Sequence, residues 1–222
     1  MTRAGHFVRQ RLSHPPAVEA FADALRGAPC QVVGLDGHPA SLPATRWRAD
    51  ADHSDGALLS RCSGATVDIG CGPGRMTQAL MSRGVHALGI DIVEEAVHQT
   101  RARGGVALQR DVFGALPGEG RWDTALLADG NIGIGGDPGR LLGRVGELLA
   151  PTGRLVVDLA APGGHVPIHR LRLEVNGVTS RRFPWAVVPA DQLEALAVAS
   201  CLRVLEIVSC QGRWFAELSK GG

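Results

Sequence analysis

The sequence predicts a doubly wound α/β fold around a mostly parallel, seven-stranded sheet. Three observations predict it. Residues 66–74 read Thr-Val-Asp-Ile-Gly-Cys-Gly-Pro-Gly, a short apolar strand running into a glycine turn. Asp91 closes Leu-Gly-Ile-Asp, 21 residues after Gly70, at the end of a second strand. From 66 to 159 strand and helix signals then alternate, which requires parallel strands joined by right-handed crossovers.

Each element follows in order. Val18, Phe21, Ala22 and Leu25 share one face of a helix at Pro16–Leu25. Cys30–Leu35 and His38–Leu42 flank Asp36-Gly37, a two-residue hairpin signal. A short helix at Asp52–Arg61 completes an amino-terminal cap, residues 1–64, that is not an independent domain. The core, 65–222, opens with strand Ala65–Ile69, helix Arg75–Arg83 and strand Ala87–Ile90. Helix Glu94–Arg103 carries acids in its first turn, as the helix dipole favours. Strands Val106–Gln109 and Thr124–Ala128 follow, then helix Asp137–Ala150 with Pro138 near its start. Pro151-Thr152-Gly153 turns into strand Arg154–Leu159.

Residues of about 165–185 break the alternation as an inserted hairpin, with Arg170–Val175 and Val178–Phe183 around Asn176-Gly177. Helix Pro189–Ser200 and strands Leu202–Val208 and Trp214–Leu218, joined at Gln211-Gly212, close the chain.

Composition narrows the function. At 222 residues, 45% hydrophobic and 20% charged, the chain has the make-up of a globular α/β domain. A formal charge of +1 supplies no basic excess for nucleic acid. Five cysteines, without CxxC spacing, point to a reducing compartment and no zinc site. No signal-like apolar segment or 18-residue apolar run occurs, so the expected location is cytoplasmic, away from membranes. Tyrosine is absent and Lys220 is the single lysine, which removes both residue types as a central base.

The glycine spacing discriminates between ligands. Gly70, Gly72 and Gly74 let backbone approach a bound molecule, and Asp91 stands one strand over to accept from ribose hydroxyls. A dinucleotide fingerprint needs glycine or alanine at its sixth position; here that position is Arg75. The stretch Asp68-Ile69-Gly70-Cys71-Gly72-Pro73-Gly74 instead resembles the first motif of class I S-adenosylmethionine-dependent methyltransferases. The resemblance covers about 65–219, and Leu126–Pro138 is similar to a group of small actinobacterial methyltransferases.

That resemblance implies S-adenosylmethionine as cofactor. It implies that the loop Gly70, Cys71, Gly72 and Gly74 contacts the methionine portion, with Asp68 near the ammonium group. Asp91 would hold the ribose; Asp111 the adenine amino group; Val112 its ring nitrogen; Ala128 and Asp129 the sulfonium side; and Ile92, after Asp91, would also contact the cofactor.

Methyl transfer is an in-line displacement, so positioning supplies much of the rate, and a base helps only a protonated acceptor. His165 and Asp129 are the catalytic candidates; Asn131, His53, His169 and Trp185 are the candidates for holding the acceptor. Asp129 and Asp158 lie near strand ends but lack a third ligand for a metal. The expected partner is a small organic acceptor, plausible in specialised metabolism. Rival readings are a protein that uses the same cofactor for rearrangement, cyclisation or decarboxylation, and an inactive partner subunit.

Overall fold

In a computed structural model, which describes residues 14–34 and 38–221, the chain begins with α1 (Ala17–Leu25). Ala20 and Ala24, four residues apart, lie on its buried side with Leu25. β1 (Cys30–Val33) and β2 (Ala40–Ser41) pair antiparallel; Asp36-Gly37, the expected turn, lies outside the described residues. A short helix not foreseen from the sequence, α2 (Ala44–Arg48), follows Pro43. α3 (His53–Leu59) starts at a reciprocal capping box. Asp52 Oδ1 accepts from the Asp55 N–H at 3.1 Å, and Asp55 Oδ2 from the Asp52 N–H at 3.0 Å.

The alternating units come next: β3 (Thr66–Ile69), α4 (Arg75–Ser82), β4 (Ala87–Asp91), α5 (Glu94–Ala102), β5 (Ala107–Gln109), β6 (Trp122–Leu127), α6 (Pro138–Leu148) and β7 (Leu149–Leu159). After β7 come β8 (Ile168–Val175), β9 (Val178–Thr179), β10 (Phe183–Ala186), α7 (Leu193–Ala199), β11 (Leu202–Cys210) and β12 (Arg213–Lys220). Several boundaries depart from expectation, among them the strand expected at Val178–Phe183, which divides into β9 and β10. β7 begins at Leu149 rather than Arg154, because Leu149 already pairs with Trp122 before an irregular register resumes at Thr124–Arg154. The helix expected from Pro189 starts as a 3₁₀ turn at Ala190–Gln192, and the α-helix begins at Leu193.

The main sheet has the strand order β11-β12-β7-β6-β3-β4-β5. Five strands are parallel, and β12 runs antiparallel to both β7 and β11. The chain winds outward from β3 to β5, then returns to lay β6 on the other side of β3. That reversal opens a crevice beyond the carboxyl ends of β3 and β6, where open α/β sheets bind ligands. Leu141, Leu142, Val145 and Leu148 of α6 pack on Val67, Ile69, Ala125, Leu155 and Val157, forming the largest apolar cluster.

The cap and the 165–185 stretch, read from sequence as two appendages, join in a second sheet ordered β10-β8-β1-β2. Cys30–Val33 align antiparallel with Val175–Arg172. Asn176 and Gly177 make the β8–β9 turn with φ of 51° and 76°, the signs a type I′ hairpin needs. Leu171, Leu173 and Val175 bury against Ala20 and Ala24 of α1. An Ile134–Trp185 bridge ties this sheet to the turn after β6, and Leu25 packs with Val93 and Ala96 at α5. The second sheet is thereby fastened to the segments that follow β4 and β6, at the crevice.

Candidate active site

The site is built from the carboxyl ends of β3, β4, β5 and β6. Gly70, Gly72 and Gly74 all have positive φ, at 71°, 54° and 86°. At Gly70 and Gly74 packing adds a second reason: a Cβ would stand 2.7 Å from Asn131 Nδ2 and from Thr100 Cγ2 respectively. At Gly72 nothing lies within 4 Å of where a Cβ would be, so that face of the loop is open to a ligand.

Asp91 ties the loop to the next strand. Its Oδ2 accepts the Gly72 N–H at 2.9 Å and its Oδ1 the Val93 N–H at 2.8 Å. Each oxygen keeps a lone pair for an incoming hydroxyl. Burial raises the Asp91 carboxyl above its ordinary value, against the lowering effect of the Val93, Gly72 and Ile92 N–H groups. Ile92, beside it, is 52% exposed, an apolar surface at the mouth of the crevice.

Asp68 is fully sequestered in β3 and accepts from Thr77 Oγ1 at 2.6 Å. Burial pushes its carboxyl up to about 6, despite the Thr77 bond. Cys71 is buried beside Thr100, and burial raises its thiol well above the ordinary value, so it packs rather than reacts. At the end of β5, Asp111 is exposed and closes a local turn by accepting the Phe113 N–H at 3.0 Å. Val112 is buried behind it, its carbonyl accepting from Arg144 Nε at 2.9 Å.

Beyond β6, Ala128 is buried and Asp129 has φ 52°, uncommon for a residue with a side chain. Its N–H donates to Asp158 Oδ2 at 2.9 Å. Its carboxylate is not free: Oδ2 accepts from Arg75 Nη2 at 2.5 Å, and Oδ1 faces Arg213 Nη2 at 3.6 Å. Asn131 has a structural contact that sequence reading did not foresee. Its amide nitrogen donates to Ile69 O and Gly70 O, both at 2.9 Å, so it buttresses the glycine loop.

These contacts belong to an ion-pair cluster that sequence reading missed. Arg75 at the start of α4 also donates to the fully buried Asp55. Arg213 donates to Asp158 through Nε at 2.9 Å and Nη2 at 2.6 Å, and to Asp55 Oδ1 through Nη1 at 2.5 Å. Burial alone would raise the Asp55 carboxyl, yet bonds from Arg75 and Arg213 hold it below its ordinary value. One signal was present in the sequence: a cation in the first turn of α4 opposes the helix dipole and needs nearby acids. Arg213 Nη2 faces both Asp129 Oδ1, at 3.6 Å, and Asp158 Oδ2, at 2.6 Å.

Two adjoining cavities open beside Asp129. The larger, about 450 Å³, is lined by Pro43, Arg46, Trp47 and Ser54 on one wall and by Asp129, Asp158, Leu159 and the 211–213 turn on the other. The smaller, about 180 Å³, shares Asp158 and Leu159 and reaches Trp185. The structure does not gather the expected histidines here. His165 is exposed in the β7–β8 loop and lines neither cavity. His169 is half-buried opposite Trp185 in the second sheet. His53 is exposed at the start of α3, one residue before Ser54 of the cleft wall.

Comparison with known proteins agrees with this architecture. Residues 66–153 match the family described as "Methyltransferase domain". A curated trans-aconitate 2-methyltransferase from Paracidovorax citrulli is 31% identical over 123 residues, which cover 54% of this chain and 45% of that protein. The chain's match thus spans less than half the length of that relative. A solved S-adenosylmethionine-dependent methyltransferase from Bacteroides fragilis, in complex with S-adenosylhomocysteine, has a TM-score of 0.77 at 19% identity. The overlap covers 95% of this chain and 97% of that one, too much to leave out the second sheet. The 1,6-didemethyltoxoflavin-N1-methyltransferase of Burkholderia thailandensis has a TM-score of 0.55 at 20% identity, covering 75% and 74% of the two chains. No described helix is long and apolar enough to cross a membrane. Residues 66–153 thus match the methyltransferase-domain family, and the chain shares the fold of a solved S-adenosylmethionine-dependent methyltransferase.

Proposed function

We propose that the chain transfers a methyl group from S-adenosylmethionine to a small organic acceptor held between α2 and the ends of β6 and β7. One observation carries the reading. Asp91 is fixed by the Gly72 and Val93 N–H groups while keeping free lone pairs, beside a loop whose Gly72 face is open. Those residues fit an adenosine ribose and a methionine tail without any phosphate-binding group. When bound, S-adenosylmethionine supplies a methyl carbon already activated by a sulfonium.

In this reading Asp91 holds the ribose and the 70–74 loop the methionine portion. Asp68 favours the ammonium group. Ile92, Asp111 and Val112 receive the adenine, and Ala128 with Asp129 stand beside the sulfonium. The roughly 450 Å³ cleft suits a small molecule, and the formal charge of +1 argues against nucleic acid. The named curated relative is a trans-aconitate 2-methyltransferase and the Burkholderia enzyme an N1-methyltransferase of 1,6-didemethyltoxoflavin, both acting on small acceptors, which supports the same class here. Cysteines that are all free fit a cytoplasmic, reducing location.

The test is incubation with S-adenosylmethionine and a library of small metabolites, read by mass spectrometry. Formation of S-adenosylhomocysteine matched by a +14 Da acceptor, on the order of one methylene, is the expected result. Cofactor binding without any transfer across the library would count against methyl transfer and favour a different use of the bound sulfonium.

A further inference from the structure

The acceptor cleft has an unusual inventory of hydrogen-bonding groups. Its two lining carboxylates are already engaged. Asp158 receives two bonds from Arg213 and one from the Asp129 N–H. Asp129 is bonded to Arg75 and has Arg213 at 3.6 Å. Among the described residues that line the cleft there is no histidine, cysteine or lysine. The Ser54 hydroxyl donates to Asp52 Oδ1 at 2.5 Å.

Arg46 differs from these groups. It lines the same cleft, yet among the described residues its guanidinium makes one long bond, to Ser54 Oγ at 3.4 Å, and one distant ion pair, to Asp55 at 3.9 Å. A guanidinium has five N–H donors in a planar fork, so most of this fork stands unused toward the cleft. Pro43, Trp47 and Leu159 add apolar surface alongside it.

Two requirements follow from this inventory. The acceptor's nucleophilic atom must be reactive without losing a proton, because no free base lines the cleft. The acceptor must also be able to accept hydrogen bonds from Arg46. An alkylamine fails both, since it arrives as an ammonium and needs a proton removed. A carboxylate meets both, being ionised at neutral pH and matched to a guanidinium fork.

Resting on the methyl-transfer reading, we propose that the acceptor is a small carboxylic acid with an apolar body and that Arg46 binds an acidic group on it. The methylated atom is a carboxylate oxygen. A lone pair of that oxygen forms the new O–CH₃ bond while the C–S bond breaks, its electron pair returning to sulfur. The products are a methyl ester and neutral S-adenosylhomocysteine, and no proton changes hands. A diacid satisfies the arrangement fully, one carboxylate held by Arg46 and the other attacking.

The experiment uses three probes with one body and different heads: 3-phenylpropionate, 3-phenylpropionamide and 3-phenylpropylamine. Each is titrated calorimetrically into the full chain saturated with S-adenosylhomocysteine. Saturation is measured first, so failure of the cofactor reading appears before any probe is added. The proposal expects the acid to bind about tenfold more tightly than the amide, with the amine weakest. Arg46→Gln should abolish the acid's advantage, and Arg46→Lys should restore part of it, as charge without the fork allows. Melting curves of both variants establish that they fold. Equal binding of all three heads, preference for the amine, or an acid preference that survives Arg46→Gln would each overturn the proposal.

Discussion

The Gly72 N–H donates to Asp91 Oδ2 at 2.9 Å, joining the glycine turn after β3 to the acid that ends β4. This contact lets one carboxylate shape the loop and still face the crevice. It also makes Asp91 responsible for two things at once, and substitutions can separate them.

Asp91→Ala should weaken S-adenosylmethionine binding by about 1.5–3 kcal/mol, the range for hydrogen bonds to a charged group. Titration of wild type and variant with S-adenosylhomocysteine checks it. Unchanged affinity would remove Asp91 from the ribose site.

Gly74→Ala should destabilise the fold by about 1–3 kcal/mol. The added Cβ meets Thr100 at 2.7 Å, and φ of 86° already disfavours a side chain. Denaturant unfolding reads the loss. Gly84→Ala, at a similar φ of 78° but with nothing within 4 Å, supplies the strain-only reference and should cost less.

Arg75→Ala should cost about 3–5 kcal/mol, because it strips a partner from fully buried Asp55 and leaves charge uncompensated. The measurement is the urea midpoint at pH 7. A loss below about 1 kcal/mol would show that the cluster is solvated in solution.

Asp68 gives a pH-dependent stability. Its folded value of about 6 lies above the ordinary value of 3.8, so the folded chain holds a proton that the unfolded chain releases. Stability contributed by that proton is complete below about pH 4 and is lost as pH rises toward 6 and beyond, by up to about 3 kcal/mol. Asp68→Asn cannot ionise, so its stability relative to wild type should rise across this window. Parallel pH dependence in the two proteins would contradict the assignment.

Sequence legibility followed the range of the interactions. The 70–74 turn, Asp91 and the Asn176-Gly177 hairpin were readable because glycine φ, strand length and turn chemistry act within a few residues. α6 was readable because Leu141, Leu142, Val145 and Leu148 repeat at helical spacing. The second sheet was not, since it depends on Cys30 meeting Val175 across a separation that leaves no local trace. The Asp55–Arg75–Arg213 cluster was hidden for the same reason: Arg213 lies 158 residues from Asp55. His165 and Asn131 were assigned from loop position alone, which says nothing of where a side chain ends. Asn131 proved to hold the glycine loop, and His165 to stand in solvent.

The central claim is that this crevice holds S-adenosylmethionine, and calorimetric titration with S-adenosylmethionine, S-adenosylhomocysteine and NADH in parallel tests it most directly. The account predicts saturable, one-to-one binding of the first two and no heat of binding from NADH. Binding of NADH alone, or of none of the three, would contradict it.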